Sequence, residues 1–80
     1  MGLRYFGTYE EYAEIIERIS PVHRWAEVAE NCVRCELDGG AVVTWWWTTG
    51  SVLFQGPPSE AARAKAEFIR LAGSDILRRA

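Results

Sequence analysis

Apolar and polar positions follow two different periods along this chain, and the change of period divides it into helix, sheet and helix. Thr8 is followed three residues later by Glu11, a spacing that lets each side chain satisfy a free backbone donor at a helix start. Tyr12, Ile15, Ile16 and Ile19 then fall on one stripe, and Glu10, Glu11, Glu14, Glu17 and Arg18 fall outside it. That pattern predicts an amphipathic helix ended by Pro21. Ser20-Pro21 also suits the opening of a short second helix with Val22, Trp25, Val28 and Ala29 on one side. The same stretch reads equally as an extended lead into a sheet.

From Cys32 to Gln55 the period shortens to two. Cys32 to Leu37 alternates, Asp38-Gly39-Gly40 tolerates positive φ, and Ala41 to Thr48 is rich in β-branched and aromatic residues, which predicts a hairpin. Thr49-Gly50 turns the chain into a third strand, Ser51 to Gln55, and Gly56-Pro57-Pro58 stops it. Ser59 suits the N-cap of a last helix with Ala61, Ala64, Phe68, Leu71 and Ala72 on its buried stripe and Gly73 at its end. Ser74 to Ala80 adds one more helical turn. The predicted architecture is a single α+β domain over residues 1–80. It is a three-stranded antiparallel β-meander with N-terminal and C-terminal helices packed on one face, in the order α-(α)-β-β-β-α.

Turn lengths assign the faces, because alternate residues of a strand point to opposite sides. A two-residue turn at Gly39-Gly40 or at Asp38-Gly39 puts Val33, Cys35 and Leu37 on one side with Val42, Thr44 and Trp46. A three-residue turn at Thr48 to Gly50 adds Val52 and Phe54, and this side is the expected core. The other side then carries Cys32, Arg34, Glu36, Val43, Trp45, Trp47, Ser51, Leu53 and Gln55. With helices on one side only, Trp45, Trp47 and Leu53 would meet water, and an exposed apolar patch of this kind marks an interface. The competing expectation is that an indole is covered by the N-terminal lead or by Val22 to Ala29.

Composition narrows the function. Hydrophobic residues make up 49% of the 80 and charged residues 25%, which predicts a packed core and excludes disorder. No apolar run is long enough to span a bilayer, and the N-terminus lacks the pattern of a secretion signal, so a cytoplasmic protein is expected. The net charge of −2 is unevenly placed: residues 1–40 carry −4 and residues 41–80 carry +2. An acidic first half sets nucleic acid behind protein as the expected partner.

No residue set points to catalysis. Cys32 and Cys35 form a lone C-x-x-C that a strand would split between two faces, against a shared metal or a local disulfide. His23 has no nucleophile near it in sequence, and the carboxylates of the first helix lie on its polar side. No enzyme, metal or cofactor is therefore expected. The candidate binding residues are Arg34, Trp45, Trp47 and Leu53 on the sheet, with Glu10 and Glu14 on the first helix as an acidic surface that mimics phosphate charge toward a basic partner.

The run Trp45-Trp46-Trp47-Thr48-Thr49-Gly50-Ser51-Val52-Leu53-Phe54-Gln55-Gly56, with the helix start after it, resembles the hairpin and helix of the N-terminal domain of ribonuclease HIII. That domain is a relative of the TATA-binding-protein fold. The run also looks like part of short phage and mobile-element proteins. The resemblance spans residues 45–60, and the ribonuclease implies a nucleic-acid-binding module. The overall profile is similar to small phage inhibitors of bacterial defence, such as anti-CRISPR proteins, which are short, acidic, cofactor-free and non-enzymatic. Together these readings lead to a small protein-binding inhibitor of a nucleic-acid-processing complex. A nucleic-acid-binding module is the alternative, and a homodimer through the sheet is the third.

Overall fold

The reciprocal cap that opens the first helix is present in full. Glu11 N donates to Thr8 Oγ1 at 3.1 Å, and Thr8 N donates to Glu11 Oε1 at 2.8 Å. Helix α1 runs Tyr9–Ile19 and buries Tyr12, Ile15, Ile16 and Ile19, the expected stripe. Ser20 is extended at φ −167°, as a residue before proline prefers. The chain accordingly leaves α1 as a strand and not as a second helix. The computed structural model describes residues 3–73 and 77–79.

Six strands form one antiparallel sheet. They are β1 (Leu3–Tyr5), β2 (Val22–Ala29), β3 (Cys32–Leu37), β4 (Val42–Trp46), β5 (Ser51–Gln55) and β6 (Leu77–Arg79). Their order across the sheet is β2-β3-β4-β5-β1-β6. The expected three-strand meander is its centre, and the chain adds β2 on one side and β1 with β6 on the other. The α+β class is as expected; the strand count is larger. The short strand β1 escaped notice because three residues are too few to show a period. The stretch beyond Gly73 was expected to be helical, but Leu77–Arg79 pairs with β1 as a strand. The rest of that expected turn, residues 74–76 and 80, lies outside the described residues.

Helix α2 spans Pro58–Ala72, with Pro57 as its N-cap and Pro58 at its first position. It starts two residues earlier than a Ser59 cap would allow, and Pro57 offers no side-chain cap bond. Ala64, Phe68 and Ala72 are buried, while Ala61 and Leu71 of the expected stripe are half-buried. Both helices pack on the same face of the sheet. The Phe68 ring lies 5.6 Å from Phe54 and 5.3 Å from Tyr5, and the Tyr12 ring stacks on Trp45 at 4.5 Å.

The two hairpin turns each hold one residue more than expected. Leu37 N donates to Ala41 O at 2.8 Å, so Asp38–Gly40 is a three-residue connection, and Gly39 and Gly40 take φ of 87° and 94°. Trp46 pairs with Ser51, so the next connection holds four residues, 47–50, closed by Gly50 N donating to Trp46 O at 2.7 Å. A one-residue change reverses every side chain of the strand that follows. The first therefore inverts β4: Val43 and Trp45 face the helices with Val33 and Cys35, and Val42, Thr44 and Trp46 face away. The second restores β5, so Val52 and Phe54 point inward as expected.

This register makes a mutational prediction. Trp45→Ala should cost about 3–5 kcal/mol, as for other buried aromatics, out of a total of about 4–12 kcal/mol for a chain of this size. Trp46→Ala should cost less than half as much. Urea unfolding of the two variants measures both; equal losses, or a larger one at Trp46, would contradict the inverted β4.

Candidate functional site

Of the residues singled out in sequence, the structure separates the indoles from the rest. Trp45 is 2% exposed. Its indole N donates to Tyr5 O at 3.2 Å, and its ring sits between Tyr12 and Tyr5. Trp47 is half-buried, edge-on to Tyr9 at 6.4 Å and to Trp45 at 6.1 Å. Neither indole is available on the outward side of the sheet, contrary to expectation. The physical reason is the parity of the Asp38–Gly40 turn. Arg34 and Leu53 are exposed on the outward side, as expected. Glu10 and Glu14 are exposed on α1, where Glu14 accepts from Arg18 at 3.3 Å.

The outward side of the sheet carries no second layer among the described residues. Cross-strand pairing arranges it in rows. One row is Ala26, Arg34, Thr44 and Leu53; another is Cys32, Trp46, Ser51 and Arg4; a third is Arg24, Glu36, Val42 and Gln55. Arg4, Arg24 and Arg34 are exposed, and Trp46 is half-buried. Thr44 is only 6% exposed, and Cys32 on the same side is 1% exposed.

Those rows place four side chains on a diagonal. With strands about 4.8 Å apart and a rise of about 3.4 Å per residue, Arg24 to Arg34 and Arg34 to Trp46 are steps of about 8 Å. Arg4 lies two strands beyond Trp46, about 10 Å away on the same geometry. Sequence reasoning missed Trp46 and Arg4: the first through register, the second because β1 was not recognised. The signal for Arg4 was present as Leu3-Arg4-Tyr5, an apolar-polar-apolar alternation one residue short of conviction.

Charge is sorted by surface. Among the residues whose side chains are described, the outward sheet side holds Arg4, Arg24 and Arg34 and one carboxylate, Glu36, whereas the outer side of α1 holds Glu10, Glu11, Glu14 and Glu17 against Arg18. The ion pairs among the described residues are Arg18–Glu14, Arg63–Glu60, Arg70–Glu67 and His23–Asp38, and none of them includes Arg4, Arg24, Arg34 or Glu36. The acidic first half of the sequence thus contains both the acidic helix and the arginines of a basic sheet surface. Strand alternation separates what a running sum merges.

The remaining reactive groups are buried. Cys35 donates to Val43 O at 3.5 Å and lies 3.7 Å from the Tyr12 hydroxyl. Burial pushes its thiol up to about 11, against the lowering effect of those two hydrogen bonds. Burial likewise raises Cys32, on the other side of the sheet. Thiols held neutral are poor nucleophiles and poor metal ligands. Among the described residues no three His, Cys, Asp or Glu side chains converge as metal ligands, and no helix is long and apolar enough to cross a membrane. Tyr5 is pushed up to about 12, by burial first and by the Glu11 charge second, and Tyr12 is raised by burial and then by Cys35.

These shifts set a pH dependence. Below about pH 9 the Cys35 thiol is neutral in both folded and unfolded chains, so its contribution to stability is complete. Between there and pH about 11 the unfolded thiol ionises while the buried one keeps its proton, and stability is lost as pH rises. Tyr5 extends the loss toward about 12. Urea midpoints should therefore fall from about pH 9 upward, and Cys35→Ala should flatten the first part of the fall. A midpoint that is constant to pH about 11 would contradict the burial of these groups.

No protein-family model matches the chain, and no curated protein or solved structure matches it, so the likeness of residues 45–60 to ribonuclease HIII rests on those residues alone.

Proposed function

We propose that this protein is a binding domain that acts without catalysis and captures an anionic macromolecule on the open side of its sheet. The observation that carries this reading is the placement of Arg4, Arg24 and Arg34 around Trp46 and Leu53 on a surface with no layer above it among the described residues. Arginine and tryptophan are the residue types that contribute most to binding hot spots. Guanidinium groups are weakly hydrated, so they lose less on leaving water than ammonium groups do. A rigid sheet fixes the spacing of all five side chains before any partner arrives, which reduces the ordering cost of association.

A second reading is favoured by the other half of the charge pattern. Glu10, Glu11, Glu14 and Glu17 line the solvent side of α1. A protein partner with a basic groove, such as a nucleic-acid-processing complex blocked by a phage-encoded inhibitor, would meet that helix and not the sheet. The two surfaces lie on opposite sides of the domain, so one experiment separates them.

Polyglutamate, as a generic polyanion, should shift the backbone amides of Arg4, Arg24, Arg34 and Leu53 and the Trp46 indole in two-dimensional nitrogen NMR spectra. The α1 resonances should stay in place. Arg34→Glu should weaken this binding about tenfold, or 1.4 kcal/mol, with an unchanged melting temperature. Shifts confined to α1 on adding polylysine, with none on adding polyglutamate even at low salt, would favour the inhibitor reading and remove the first.

A further inference from the structure

Resting on the open-sheet reading, we propose that the anion is a single-stranded nucleic acid, with one base stacked on Trp46 and the flanking phosphates held by Arg34 and Arg4. The diagonal supplies the geometry. Trp46 lies between the two arginines, about 8 Å from one and about 10 Å from the other by strand spacing. An indole flanked by cations is what an unpaired strand engages, because a base presents an apolar ring and its backbone presents charge on either side.

Trp46 and Leu53 stand on β4 and β5, the two central strands, and Arg4, Arg24 and Arg34 stand on the strands around them, so a base can meet the indole while its flanking phosphates meet the guanidinium groups. Ser51 and Gln55 offer hydrogen bonds to sugar or base edges with little demand on sequence. A duplex fits less well, since its bases are stacked on one another and closed to Trp46.

Glu36 gives the site a polarity. It stands directly opposite Arg24 and two residues from Arg34 on the same side of β3. Its carboxylate offsets the Arg24 end of the diagonal, leaving the Arg34-Trp46-Arg4 segment as the stronger anion track. Removing that carboxylate should therefore tighten binding, an effect that damage to the fold would not produce.

The test uses a fluorescein-labelled oligothymidylate and an oligouridylate of twelve nucleotides, read by anisotropy, with the corresponding duplex and polyglutamate as competitors. Single strands should bind, and affinity should fall with salt at a log–log slope of about −1.5 to −2, as for two to three phosphates. Trp46→Ala should weaken binding about tenfold or more while Trp46→Phe restores most of it, and circular dichroism should show both variants folded. Arg34→Ala should reduce the slope by about 0.7, and Glu36→Gln should tighten binding about twofold to fivefold. Duplex binding as tight as single strand, or an unchanged affinity for Trp46→Ala, overturns the stacked-strand proposal. Polyglutamate bound on the sheet with no oligonucleotide bound also overturns it, and leaves the open-sheet reading standing with an acidic protein as partner. If no polyanion binds and light scattering shows a dimer that Arg34→Glu dissociates, both fall, and the surface is a contact between two copies of this chain.

Discussion

Two consecutive glycines with positive φ let the β3–β4 connection close over three residues, and the assignment of inside and outside on β4 follows from that count. With Leu37 bonded to Ala41, Val33 stands opposite Trp45 and Cys35 opposite Val43. One residue fewer would send Val43 and Trp45 to solvent and pull Val42, Thr44 and Trp46 under the helices. The energy difference is large, because Trp45 is among the largest side chains that the core holds and a buried indole removes on the order of 200 Å² from water. Register here is therefore fixed from two directions, by turn geometry and by what the helices can cover.

The burial of Trp45 also explains why the sheet needs β1. Tyr5 O accepts from the Trp45 indole, and Tyr5 N donates to Gly50 O at 2.7 Å. The short strand thus satisfies a polar atom that burial would otherwise leave unpaired. Tyr5, Tyr12, Trp45 and Phe68 then form an aromatic cluster with ring centroids 4.5–6.1 Å apart. Such contacts add to simple area burial in a domain too small to have area to spare. Trp25 and Trp47 extend the cluster through Tyr9 and Tyr12 to the surface. Three of the four tryptophans are committed to the fold.

The fourth is left over by parity. Trp46 faces away from the helices on a side where Arg4, Arg24 and Arg34 gather from three different strands. Their neighbours in sequence, such as Tyr5, Trp25 and Cys35, are core residues, so the same alternation that builds the inside spaces the charges outside. The acidic side chains of α1 are kept on the far side of the domain by the helical stripe. A chain with a small negative net charge thus presents a basic sheet and an acidic helix.

The sequence by itself determined the local elements with strong short-range signals. The Thr8/Glu11 cap and the Ile15, Ile16, Ile19 stripe defined α1, the Ala64, Phe68, Ala72 spacing defined α2 though a Ser59 cap misplaced its start, and alternation defined β3 to β5. It also placed Arg34 and Leu53 on the outward side, since two one-residue errors in turn length cancelled at β5. Tertiary structure alone decided the turn lengths, the extended path of Val22–Ala29, and the pairing of β1 and β6 with each other and of β1 with β5. Those depend on partners distant in sequence, and period and propensity carry no information about them. Because β4 lies between two turns that are each one residue longer than expected, only the fold identifies the outward-facing indole: alternation states which residues share a side, and long-range packing chooses which side is in.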